Sequence, residues 1–214
     1  MDIGENIADS FKYTFSDIKN LIIFMLIFMS CIIIVTIPLF LGYLYRITKE
    51  TVGGSDVLPD FSDLGQMYID GLKILGLGII YIILIILVFS ILMGIGITIG
   101  SAMGDSGVAV FITIFTIIGC IMSFIIGLFY IPAQFKLITE DSFSAGFDFS
   151  GIMELIKDVG IGEYIIWYIA ILIISSIISG IGSLLAVIIV GPVIASTINA
   201  AFTCRSTALL FGFE

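Results

Sequence analysis

The chain has 214 residues, 60% of them hydrophobic and only 12% charged, with a formal net charge of −9 and no histidine. A soluble domain carries about 25% charged residues, so neither a water-soluble globule nor a disordered chain fits. The composition reads as one integral membrane domain over 1–214. The acidic balance excludes nucleic-acid binding, which needs a basic face to displace counterions.

In chain order, Ile3, Ile7, Phe11, Phe15 and Ile18 recur at helical spacing, with Asp2, Glu5, Asp9 and Lys12 off that stripe. This predicts an amphipathic elbow over 3–19 at the membrane interface. The segment is acidic, so it is neither a cleaved secretion signal nor a basic helix that detaches from lipid. Residues 20–45, 74–104, 106–135 and 164–204 then contain no Asp, Glu, Lys or Arg. A crossing needs about 20 apolar residues. The first three stretches give spans at about 21–45, 74–99 and 108–135. The fourth is too long for one crossing and is expected to fold back at Gly180-Ile181-Gly182-Ser183 into spans at about 164–180 and 185–208. The expected fold is therefore an all-α polytopic bundle of about five spans.

The two long connections resemble each other. Ile47-Thr48-Lys49-Glu50 and Ile138-Thr139-Glu140-Asp141 are followed by Asp60-Phe61-Ser62 and Asp148-Phe149-Ser150, with Pro38 and Pro132 near the ends of the preceding spans. This pattern suggests a weak internal repeat. It also predicts interfacial helices over about 61–72 and 149–161, with Phe61, Leu64, Tyr68 and Leu72 on one apolar face and Phe149, Ile152, Ile156 and Val159 on the other. Asp60 and Asp148 are placed to accept first-turn N–H groups as helix caps. With the N-terminus outside, six basic residues fall inside and Lys12 and Lys19 outside, as the bias of Lys and Arg to the cytoplasm favours. The alternative is a re-entrant hairpin broken near Pro38, which puts all eight in the cytoplasm.

The segment Leu41-Gly42-Tyr43-Leu44, then Arg46, then Leu58-Pro59-Asp60-Phe61, then Asp70-Gly71-Leu72-Lys73 resembles the first half of an archaeal membrane family, domain of unknown function 4013. The second half, with Phe143, Phe147-Asp148-Phe149 and a hydrophobic hairpin to the end, is similar too. Asp63-Leu64 departs from the aromatic expected after the acid. The resemblance implies an archaeal host and a multi-pass protein of the cell membrane. It supplies no catalytic or binding residues.

Chemistry is mostly excluded. Without histidine there is no Ser-His or Cys-His nucleophile and no histidine metal site. Gly104-Asp105-Ser106-Gly107 reads as a turn, and the loop acids fit no calcium loop, so no metal and no cofactor is expected. Cys31, Cys120 and Cys204 read as small buried hydrophobes. Proton- or ion-coupled transport needs charges inside spans, and the spans offer only groups such as Asn199. Small residues at every fourth position (Gly96, Gly100, Gly104; Gly119, Ser123, Gly127; Gly191, Ala195) predict close helix packing within the chain, or a homo-oligomer face. Trp167 with Tyr164 and Tyr168 is expected in an interfacial belt, and Arg205 is expected to snorkel to the surface. Proline-broken helices can mark a binding path, which makes Pro38, Pro132 and Asn199 candidate ligand residues. The leading expectation is a non-enzymatic protein that organises lipid or binds a membrane partner. The alternatives are a small permease or channel for a neutral or lipidic solute, and an interfacial enzyme using loop carboxylates.

Overall fold

The computed structural model describes residues 2–31, 33–184 and 190–212. Among these residues there are eight α-helices and no strand: α1 (Ile3–Thr14), α2 (Ile18–Ser30), α3 (Ile37–Val52), α4 (Leu64–Ser101), α5 (Asp105–Thr139), α6 (Phe149–Val159), α7 (Ile161–Leu184) and α8 (Val190–Phe211). Short 3-10 turns precede α3 and α6. The fold is an all-α polytopic bundle. Helices α4, α5 and α7 and residues Gly191–Phe211 of α8 are long and apolar enough to cross a membrane. Helices α1 and α2 would add a fifth span only as a pair bent by 83°.

The chain divides into two compact units, residues 1–75 with 132–214, and residues 76–131. In the larger unit α8 is central, and α1, α2, α3 and α7 all pack on it. Around it Phe24, Tyr43, Ile47, Met67 and Ala201 form a buried core. Helix α4 reaches α3 through two glycines. A Cβ on Gly42 would stand 1.8 Å from the Met67 carbonyl oxygen, and one on Gly71 would stand 1.7 Å from that of Pro38. Helices α7 and α8 close up in the same way, Gly182 against Gly191 and Ala195. In apolar surroundings such close backbone approach replaces the hydrophobic drive of water.

The smaller unit is a helical hairpin. Its tip turns at Gly104, in the left-handed region (φ +80°), so Gly104-Asp105-Ser106-Gly107 is the turn and the start of α5. Gly100 meets the Val108 backbone, Gly96 meets the ring of Phe115, and Gly119 meets that of Phe89. These small residues thus serve packing inside the chain.

Three boundaries, and the buried face of α1, differ from the sequence expectation. Residues 21–45 are not one helix: α2 ends at Ser30 and α3 starts at Ile37. The Thr36 hydroxyl donates to the Ser30 carbonyl at 2.6 Å and so caps the end of α2. Pro38, lacking an N–H, stands in the first turn of α3, where none is needed. Phe40 then stacks on Phe24 (5.0 Å) and lies tilted against Phe28 (5.1 Å), and Tyr43 packs on Phe24 (4.5 Å), so α3 runs back along α2. Hydropathy cannot separate one crossing from a hairpin of equal length.

The expected helix over 61–72 is instead the first part of α4, which continues unbroken to Ser101 because no proline interrupts it. Its buried side is Met67, Asp70, Gly71 and Ile74, whereas Leu64 and Leu72 are exposed; the glycine contact with α3 sets the rotation. Gly180-Ile181-Gly182-Ser183 is helical within α7, so the chain does not reverse there. The expected start of the last span at 185 lies outside the described residues. Finally, α1 buries Asn6, Ser10, Tyr13 and Thr14, while Phe15 and Ile18 beyond it are exposed. Phe11 of the stripe packs on Phe202 of α8 at 4.6 Å, and Asn6 hydrogen-bonds to α8 as described below.

Candidate functional site

Charged and polar side chains of the larger unit gather at one end of its helices. Arg205, three residues from Phe202 in the core of α8, is 3% exposed. Its Nε donates to Asp9 Oδ2 at 2.9 Å, Nη1 to the Ser55 carbonyl at 2.6 Å and Nη2 to Asp56 Oδ1 at 2.7 Å. Its guanidinium also lies 4.5 Å from the Tyr13 ring centre. A buried guanidinium is tolerable only when its donors are this well matched. Arg205 therefore does not snorkel to the surface; it ties α1 and the α3–α4 loop to α8. One residue on, the Ser206 hydroxyl donates to Asn6 Oδ1 and accepts from Trp167 Nε1 at 2.9 Å, and Asn6 Nδ2 donates to the Ser206 carbonyl at 3.0 Å. Trp167 is fully buried and is not a belt residue, because its indole N–H has a partner inside.

Two further ionic groups lie at the ends of α3, α4 and α5. Asp141, in left-handed backbone (φ +50°), accepts from Lys73 Nζ at 2.6 Å and from the Tyr45 hydroxyl at 2.8 Å, with Lys49 at 3.7 Å. The Lys73 ammonium and the Tyr45 hydroxyl hold its carboxyl below the usual range. Lys73 also reaches Asp70 at 3.1 Å. Lys136 bridges Glu140 (2.7 Å) and Asp148 (2.9 Å). The Ser150 hydroxyl, Lys136 and the Gly151 N–H together push the Asp148 carboxyl well down.

The segments that carry the family resemblance meet here. Tyr43 donates to the Pro59 carbonyl at 2.9 Å and stacks on Phe61 at 4.4 Å. Arg46 donates to the Ser62 carbonyl and to those of Asp63 (2.7 Å) and Asp60 (3.3 Å). Gly42 and Gly71 provide the close contact described above. Gly-Tyr-Leu-x-Arg and Leu-Pro-Asp-Phe are thus two sides of one joint.

The expected caps separate. Asp148 accepts from Gly151 N–H at 3.1 Å and caps α6. Asp60 does not cap: its carboxylate takes the Ser62 hydroxyl (2.6 Å) and N–H (3.1 Å), which lowers its pKa. Asp63, at φ +46°, takes its place, accepting from Gln66 N–H at 3.1 Å. Phe61 is packed on Tyr43, whereas Phe149 is exposed. Of the candidate ligand residues, Pro38 is covered by Gly71, Pro132 is buried within α5, and Asn199 Oδ1 is buried without a hydrogen-bond partner. None of the three lines the hairpin cavity described next. A cavity of about 220 Å³ does lie within the 76–131 hairpin, walled by Gly78, Tyr81, Gly127 and Tyr130 among isoleucines. The sequence reading missed it, although glycine and tyrosine facing each other on two apolar helices was the available signal. Of the cysteines only Cys204 is buried; Cys120 is exposed on an apolar helix. No group of three or more Cys, Asp or Glu placed to hold a metal occurs among the described residues.

Apolar helices of crossing length around a polar end define the class: a polytopic helical protein of membrane type. The chain belongs to the family described as "Protein of unknown function (DUF4013)", whose model matches residues 25–187. No curated protein and no solved structure matches it.

Proposed function

We propose that this is a multi-pass protein of an archaeal cell membrane that organises lipid or partner proteins and carries out no catalysis. The observation that carries the reading is how the polar groups are used. Arg205, Arg46, Lys49, Lys73 and Lys136 are all engaged with carboxylates or carbonyls of the chain itself, so these charges serve the protein's own joints. Against this, only 17% and 11% of the apolar windows of α4 and α5 are buried, which leaves two long helices for lipid or another membrane protein to cover. The similarity of the two Asp-Phe-Ser segments, each with its serine bonded to its aspartate, supports an origin by duplication.

The test is extraction of the full chain from native membranes into lipid nanodiscs, followed by lipid and protein mass spectrometry. A defined lipid class or a stoichiometric partner is expected to remain bound. Recovery with bulk lipid in its ordinary proportions and no partner counts against the proposal. The second reading, a permease for a neutral or lipidic solute, is favoured by the 220 Å³ cavity and by the buried Tyr81 hydroxyl beside it, which has no partner. Solute uptake by reconstituted vesicles that is lost in Gly78→Leu would support it.

A further inference from the structure

We infer that α2 and α3 form a re-entrant wedge occupying a single leaflet, with the hydrocarbon of that leaflet covering its exposed face. This rests on the membrane reading above and adds the part of the bilayer on which the protein acts. Length is the first argument. The uncharged part of α2, residues 21–30, and that of α3, residues 37–45, are each about 15 Å long at about 1.5 Å per residue. That is half of a hydrocarbon core about 30 Å thick.

The second argument is where the arms start and finish. Arg205 at the end of α8 bonds both Asp9 of α1 and Asp56 after α3. Ser16, just before α2, accepts from Leu58 N–H at 3.0 Å, and Asn20 reaches the Leu58 carbonyl at 3.4 Å. The chain therefore leaves and re-enters at the same end. The third argument is surface. Ile22, Leu26 and Met29 form an exposed stripe leading to Ile33, Ile34 and Val35 at the turn, where Ile34 is 78% exposed. No charged residue occurs between Lys19 and Arg46. Leaving such side chains in water is unfavourable in proportion to their apolar area, and half-depth hydrocarbon removes that cost.

Two consequences follow. With α4, α5, α7 and α8 as the crossings, all eight basic residues lie on one side, as the positive-inside bias requires. A single crossing at 21–45 would instead divide them six to two. Second, a wedge in one leaflet adds area to that leaflet alone, so the protein favours membrane convex on its charged side.

Depth measurement tests this. In a chain carrying Cys31→Ala, Cys120→Ala and Cys204→Ala, single thiols from Ile22→Cys or Ile34→Cys are labelled with bimane in phosphatidylcholine vesicles bearing nitroxide quenchers at graded depths. The label at 34 is expected near the bilayer centre and that at 22 about 12 Å shallower. Labelling of the 34 thiol by an impermeant reagent from the face opposite Lys49 would mean a full crossing and overturn the inference. On tubes pulled from giant phosphatidylcholine vesicles, with the charged side outward, the tube-to-flat density ratio is expected above one for the native chain and reduced for Ile34→Ser. A ratio of one for the native chain overturns the wedge. Neither result depends on retained lipids or partners, so failure here and failure of the broader reading are distinguishable.

Discussion

The helices of the 76–131 hairpin are more apolar than those of the larger unit, with mean hydropathy 3.1 for α4 and 2.7 for α5 against 2.3 for α7 and 1.2 for α8, and the two units hold together differently. In the hairpin, contact runs through glycines and rings: Gly100 on Val108, Gly119 on Phe89, and Tyr81 edge-on to Tyr130 at 5.2 Å. Its hydroxyls at Thr98, Thr113, Thr116 and Ser123 bond back to carbonyls of their own helices. The larger unit also has backbone-to-backbone contact at Gly42 and Gly71, but adds polar bonds between elements far apart in sequence, such as Asn6 with Ser206 and Arg205 with Asp56. Accordingly 56% of the apolar window of α8 is buried, against 11% for α5. A hairpin needs only sequence-neighbouring helices to fit, whereas a joint between distant elements needs directional groups to choose the right partner.

Substitutions break this comparison in graded steps. Gly71→Ala is expected to do most damage, because its Cβ meets the backbone of Pro38 and not a movable side chain. Overpacking costs about 1–3 kcal/mol where side chains can shift, so more than about 3 kcal/mol is expected, read as a drop in thermal midpoint and in folded yield in detergent. Arg205→Ala follows, at about 3 kcal/mol. That is the low end for breaking one side of a buried pair, since Asp9 and Asp56 keep access to water; protease sensitivity should rise first in α1. Trp167→Phe leaves the Ser206 hydroxyl short of one donor and should cost about 1–2 kcal/mol, measured by chemical denaturation.

Asp148→Ala should be milder and local, increasing hydrogen exchange in α6 without unfolding the unit. The pH dependence of the native chain sharpens it. Because the folded carboxyl is held below its unfolded value, its contribution is complete at neutral pH. It is lost progressively as pH falls from about 5 on through the lower folded value. Protection of α6 should therefore be flat down to about pH 5 and decline below that. The smallest effect, and opposite in sign, is expected in the hairpin. Nothing lies within 4 Å of a Cβ on Gly94, so Gly94→Ala should gain up to about 1 kcal/mol from helix propensity. A loss there instead would mean that another chain packs on that face.

Particular residues show how far the sequence can be read. The uncharged stretches located α4, α5 and α7, which are long helices, whereas the uncharged stretch at 20–45 is broken into α2 and α3. The Asp148 cap was legible because it is local, an acid three residues before the N–H it accepts. Asp60 was misread although it has the same neighbours. There the chain must first turn back along α3 to meet Tyr43 and Arg46, and that requirement shifts the helix start to Asp63.

By itself, then, the amino-acid sequence determined the helical class, the apolar helices of membrane-crossing length, the hairpin turn near Gly104 and the absence of histidine-based chemistry. Each follows from composition or from spacing within a few residues. Only the tertiary structure decided that 21–45 doubles back, that Arg205 and Trp167 are buried and satisfied, and that α1 buries Asn6, Ser10 and Thr14 beside Tyr13. Those outcomes depend on which distant hydrogen-bonding groups find each other. A buried donor takes whatever matched acceptor the fold supplies, and its spacing in sequence does not say which one that is.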